Sequence, residues 1–229
     1  MTPTAYRDLG RGHHGHADHG FGGWLVALAL GYAVFQHAGE LFRFLGDVGD
    51  TRWADWVDLL TPYVVTGTAA GALRAAGATR TAWGVFWFAT VLYTQGQGIH
   101  LAANSIGNVA PGQPAHLWDE VVGHYLWYAG FALVMVTLAG TLADRAPRGG
   151  IGAHLLALLV GFTNFTNWVE GGTAVAGIVV ATGFLGWGLL TRYSLGRLLI
   201  TCYGFSLVLL AVFGVWQGGF PQFSELGWI

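Results

Sequence analysis

Apolar runs of about twenty residues recur along the whole chain, and short polar connections between them hold most of the charge. A run of that length is what a helix needs to cross the hydrocarbon core of a bilayer. Seven can be placed, at residues 21–44, 54–75, 82–106, 116–142, 150–169, 171–192 and 197–218. Those at 54–75 and 150–169 are the least uniform. The pattern predicts an all-α, polytopic integral membrane bundle of seven transmembrane helices over residues 21–220. A flexible His-rich tail at residues 1–20 is expected before it, and a short tail at residues 221–229 after it.

Composition strengthens that reading. The chain is 54% hydrophobic and only 10% charged, against roughly 25% charged residues in a soluble domain. Mean hydropathy is +0.51. The 11 tryptophans and 8 tyrosines suit the two interfacial belts, and the 37 glycines suit close helix packing in lipid. A formal net charge of −2 with no basic cluster gives no footprint for nucleic acid. The single cysteine, Cys202, excludes an internal disulfide and a CxxC knuckle. All ten basic residues are arginines, so there is no lysine for a retinal Schiff base. Residues 1–20 have no apolar core and do not read as a signal peptide. Their "GHHGHADHG" stretch holds four of the nine histidines and is able to bind metal adventitiously.

Charge distribution orients the bundle. With seven spans, Arg7, Arg11, Arg74, Arg80, Arg145, Arg148, Arg192 and Arg197 fall on one side, and only Arg43 and Arg52 on the other. The positive-inside rule then predicts a cytoplasmic N-terminus and an extracytoplasmic C-terminus, with a bacterial inner (plasma) membrane as the expected location. Acidic residues show the reverse bias. Asp47, Asp50, Asp55, Asp58, Asp119, Glu120, Glu170 and Glu225 map to the outer side, and Glu40 lies near it. Headgroups and water would solvate Asp47, Asp50, Asp55 and Asp58.

Polar residues inside the runs share faces. Residues three and four apart on a helix lie on one side. Tyr93, Gln97, His100 and Asn104 form one such stripe, and His116, Glu120, His124 and Trp127 a second. Gln36 and His37 precede Glu40 by one turn, and Thr163, Asn167 and Glu170 make a fourth stripe. Ionisable groups in a span cost roughly 2.5–3.5 kcal/mol each on insertion scales, so several in one layer should face each other, water or a metal. A polar chamber open toward the outer face is expected, with Gly96 and Gly98 leaving room for a neighbouring helix or a ligand.

Imidazole and carboxylate at i, i+4 on one helix, Glu120 and His124, can hold one ion, and His100 from the next span completes the set. His37 is the candidate fourth ligand, with His116 as its competitor. Such a set suits zinc or iron, with copper as a further candidate. Glu40 and Glu170 are then candidate bases, and Asn104 and Asn167 candidate donors to a developing oxyanion. The expected function is a metal-dependent intramembrane hydrolase or oxidoreductase acting on a lipid-like or apolar molecule. The same residues allow a metal-free acid–base isomerase or cyclase, a proton-coupled transporter, or an accessory subunit of a larger membrane complex. A homo-oligomer is equally open, because small residues pack helices within and between chains alike.

Span count and three clustered histidines are similar to the seven-span hydrolases related to alkaline ceramidases and adiponectin receptors. Their late His-x-x-x-His pair is missing here, since the last two runs contain no histidine. "HAGE" and "NW" loosely resemble the pocket of emopamil-binding-type sterol isomerases, which have fewer spans.

Overall fold

The computed structural model describes residues 20–143, 150–191 and 194–228. The described chain is all-α apart from one tiny hairpin. Helix α1 (Gly20–Phe35) is followed by α2 (Ala38–Leu41) and a 3-10 turn at Arg43–Leu45. Strands β1 (Asp47–Val48) and β2 (Thr51–Arg52) pair antiparallel, with Asp47 opposite Arg52. Then come α3 (Trp53–Asp58), α4 (Thr61–Ala75), α5 (Arg80–Val109) and α6 (Gln113–His116). A π-helical turn at Leu117–Gly123 joins α6 to α7 (His124–Leu142). The chain closes with α8 (Ile151–Glu170), α9 (Ala174–Leu190) and α10 (Ser194–Gln217).

Seven helical stretches of fifteen residues or more coincide with the seven apolar runs. Two runs are shorter as helices than as sequence. The first long helix ends at Phe35, and the run at 54–75 breaks at Leu59–Leu60, where Pro62 enters the first turn of α4. By length and composition, two helices are long and apolar enough to cross a membrane, Gln113–Leu142 and α10; α1 and α9 are apolar but shorter. The expectation of seven uniformly apolar spans therefore narrows to two by that criterion. The polar stripes of α5 and α8 and the brevity of α1, α4 and α9 account for the difference.

Two apolar clusters hold the helices together. Phe21, Leu28 and Tyr32 of α1, Val65 and Leu73 of α4, Phe86 and Tyr93 of α5, and Phe131 and Val134 of α7 form the first. Phe165 and Trp168 of α8, Phe184 of α9, and Tyr203 and Phe213 of α10 form the second. Tyr128, Met135, Val160 and Leu195 touch both, so the two clusters make one bundle. Much apolar surface remains outward: Leu190 is 87% exposed, Val215 85% and Val175 71%.

Short connections alternate the direction of the long helices. The segments between α1 and α4, α5 and α6, and α8 and α9 meet at one end, with residues 218–228. Residues 1–19, 144–149, 192, 193 and 229 lie outside the described chain, and with them the His-rich tail and five of the arginines in the orientation argument. Of the rest, Arg74 and Arg80 flank the α4–α5 connection and Arg197 opens α10 at one end, while Arg43 and Arg52 lie at the other.

Candidate metal centre

Three glycines bring α5 and α7 into backbone contact. A Cβ on Gly96 would collide with the backbone of Trp127, and one on Gly130 with that of Tyr93. A Cβ on Gly123 would lie 2.9 Å from the backbone and Cβ of His100. Small residues at such positions let helices approach closely. Gly98 is different, since a Cβ there would meet nothing within 4 Å.

This contact sets His100 beside His124, with ring centroids 4.5 Å apart and the planes tilted by 34°. Trp127 lies within 5.6 Å of both rings. His100 Nδ1 donates to Asp119 Oδ1 at 2.5 Å. His124 Nδ1 faces the carboxylate Oε2 of Glu120 at 3.4 Å and its carbonyl at 3.3 Å. The Glu120 carboxylate beside Nδ1 of His124 favours a proton there and leaves Nε2 its lone pair, whereas a metal shared by His100 and Asp119 would take the place of the proton between His100 Nδ1 and Asp119 Oδ1. One ligand atom each from His100, Asp119 and His124 lie within 4.8 Å of one another, and His124 is buried. Tetrahedral zinc at about 2.1 Å from each ligand needs them about 3.4 Å apart.

The π turn brings a second carboxylate to the histidines. Its wider winding sets the residue five before His124, Asp119, on the side that Glu120, four before it, already occupies at ordinary helical spacing. Glu120 still stands beside His124, in the place of a carboxylate that orients a ligating histidine. Asp119 therefore belongs to the ligand group and Glu120 beside it.

Two further groups complete the surroundings. Gln97, one turn before His100, is fully buried, and neither end of its carboxamide makes a hydrogen bond of ordinary geometry. It stands alongside the carboxyl of Asp58, which accepts from the Thr61 hydroxyl at 2.7 Å. Asp58 is half-buried, and the Thr61 hydroxyl that it accepts from also reaches the Phe35 carbonyl at 3.1 Å, so the carboxylate faces the protein as well as water. The break between α3 and α4 turns it inward, which the apolar run at 54–75 does not reveal. Asp55, by contrast, is held by Arg52, which reaches it at 2.7 Å.

The other sequence candidates are dispersed. His37 spends both ring nitrogens elsewhere, on the Ala33 carbonyl at 2.7 Å and the Thr166 hydroxyl at 2.9 Å, along the α1–α8 seam. Exposed Glu40 pairs with Arg43 at 3.2 Å, and His116 is exposed. Asn104, one turn beyond His100, accepts weakly from Asn108. Buried Asn167 donates to the Tyr32 hydroxyl, which in turn donates to Asn164 at 2.8 Å. Glu170 accepts the backbone N–H of Ser224 at 3.2 Å. Residues after α10 fold back over this end, and Gln222 Nε2 donates to Glu120 Oε2 at 3.2 Å and to the Glu170 carbonyl. The structure therefore gathers His100, Asp119, Glu120 and His124, with Gln97 and Asp58 beside them and Glu170 linked through Gln222.

Comparison with protein-family models, with curated proteins and with solved structures finds no match to this chain.

Proposed function

We propose that this chain is an integral membrane protein of seven spans, with its N-terminus cytoplasmic, that acts as a metal-dependent hydrolase on a lipid-like substrate. The observation that carries the chemistry is the convergence of His100, Asp119 and His124. Two imidazoles and one carboxylate leave a coordination position open on zinc, and the same set suits ferrous iron. A divalent ion held there supplies a water acidified toward neutral pH and polarises a carbonyl. Glu120 orients His124 and is near enough to take a proton, and the buried carboxamide of Gln97, beside Asp58, is a candidate donor for substrate oxygen.

Membrane residence is supported by the outward apolar surface on helices throughout the bundle, including Trp87, Phe88, Val179, Leu189 and Val212. A patchwork of that extent is unusual in a soluble monomer. A bacterial inner membrane is part of the same proposal, and the arginine bias bears only on which end would face the cytoplasm. The short His100–Asp119 hydrogen bond favours one alternative, a metal-free acid–base dyad serving an isomerase.

Zinc titration of detergent-purified protein, followed by thermal unfolding, tests the metal reading. A ligand that binds only the folded state raises the midpoint as its concentration rises. The expected result is a chelator-reversible rise that disappears in His124→Ala. A midpoint insensitive to zinc and iron overturns the metal reading and leaves the dyad.

A further inference from the structure

A cavity of about 200 Å³ opens as a crevice between α7 and α9. Its floor is Trp168 and Tyr203, and Tyr125, Ala129 and Ala176 are among its walls. Almost all of this lining is apolar. Trp168 lies flat on Gly177, where a Cβ would run into the indole, so the floor is set by a glycine.

Besides the tyrosine hydroxyls, one buried polar atom in this lining has no hydrogen bond. Thr173 is 2% exposed, lines the cavity, and its Oγ1 makes no hydrogen bond. Thr173 is the N-cap of α9, where a threonine hydroxyl ordinarily accepts an N–H of the first turn. Here the side chain makes no capping bond. The Tyr128 hydroxyl donates to the Asn167 carbonyl at 2.7 Å, and its lone pairs are the acceptor nearest Thr173, without the geometry of a hydrogen bond. A buried hydroxyl without a partner costs roughly 1–3 kcal/mol, so a donor left free in an apolar slot is a place for a ligand's acceptor.

The cavity also adjoins the metal centre. Tyr128 forms one wall, and the same ring stacks on His124 with centroids 5.9 Å apart. Gln222, which bonds Glu120, lies over Gly172, next to Thr173. Exposed Tyr125, Val175 and Val179 flank the rim and continue the outward apolar surface.

We infer that this crevice seats one acyl chain of an ester-bearing lipid, entering sideways from the bilayer, with the ester carbonyl accepting a hydrogen bond from Thr173. The size fits a chain segment. A cavity of about 150 Å³ holds a benzene ring, whereas sites for whole drug-sized molecules span roughly 300–1,000 Å³. That the chain belongs to a substrate rests on the proposed hydrolase; the occupancy of the crevice does not.

The test is photolabelling of the full-length protein in nanodiscs with the methyl ester of octanoic acid carrying a terminal diazirine. Labelled peptides should fall within 125–132 and 173–180, and unlabelled methyl octanoate should compete. Ala176→Phe, which fills the crevice, should abolish this labelling. Thr173→Val should weaken competition about two- to tenfold, as loss of one hydrogen bond implies, and Thr173→Ser should retain it. Thr173→Val should not lower the thermal midpoint without ligand, since it removes an unpartnered hydroxyl. Labels spread over outward residues such as Val212 and Val215, indifferent to Ala176→Phe, would overturn the assignment. Zinc response measured on the same samples separates the two readings. Labelling lost with the zinc response intact in Ala176→Phe supports the crevice, and specific labelling of a protein that never responds to zinc keeps the crevice but removes the hydrolase.

Discussion

Asp119 and Glu120 are adjacent carboxylates with different neighbours: one bonds His100, the other His124. Their variants should therefore differ. Glu120→Gln removes a partner that orients a ligand and should weaken zinc about 10–100-fold. Asp119→Asn removes a ligand and should weaken it more; competition with a chromophoric chelator measures both. Equal, negligible effects would contradict the assignment. At this scale the sequence was readable for His100 and His124, whose types and spacing identify them. It was misleading for Asp119 and Asp58, because helix spacing and apolar context assume regular helices.

Each long helix is legible as an apolar run because lipid-length stretches of Leu, Val, Ala and Phe admit few other conformations. What breaks a helix locally is less visible. No residue pattern in "LWDEVVGH" announces a π turn, yet that turn brings Asp119 to the histidines while Glu120 stays beside His124. Glycines are similarly ambiguous in sequence. Gly96 and Gly98 look equivalent, but only Gly96 meets a neighbouring backbone. Gly96→Ala should destabilise the protein by about 1–3 kcal/mol through overpacking against Trp127. Gly98→Ala should be neutral or stabilising by up to about 1 kcal/mol, since alanine is the better helix former. Urea or thermal unfolding in detergent compares them, and similar losses for both would remove the case for an α5–α7 backbone contact as the support of the site.

Across the whole molecule, acidic groups and the candidate centre collect at one end, and Arg74, Arg80 and Arg197 lie at the other. Alternation of the long helices gives that separation among the described residues, which hold five of the ten arginines. The folding of residues 218–228 over the site was not foretold, because an eleven-residue polar–aromatic tail has no periodicity to read. The seven-span topology is testable with single cysteines in a Cys202→Ala background. In intact cells an impermeant maleimide should label cysteine at Asp50 or Ser224 and spare cysteine at Arg74 or Arg80. Labelling of both sets would exclude the topology. The central claim, a metal held by His100, Asp119 and His124, is tested most directly by elemental analysis of the purified full-length chain in which His13, His14, His16 and His19 are replaced by asparagine. The account predicts about one zinc or iron per chain, lost when His124 is also replaced by alanine. Less than about 0.2 metal per chain, or full loading in the His124→Ala protein, would contradict it.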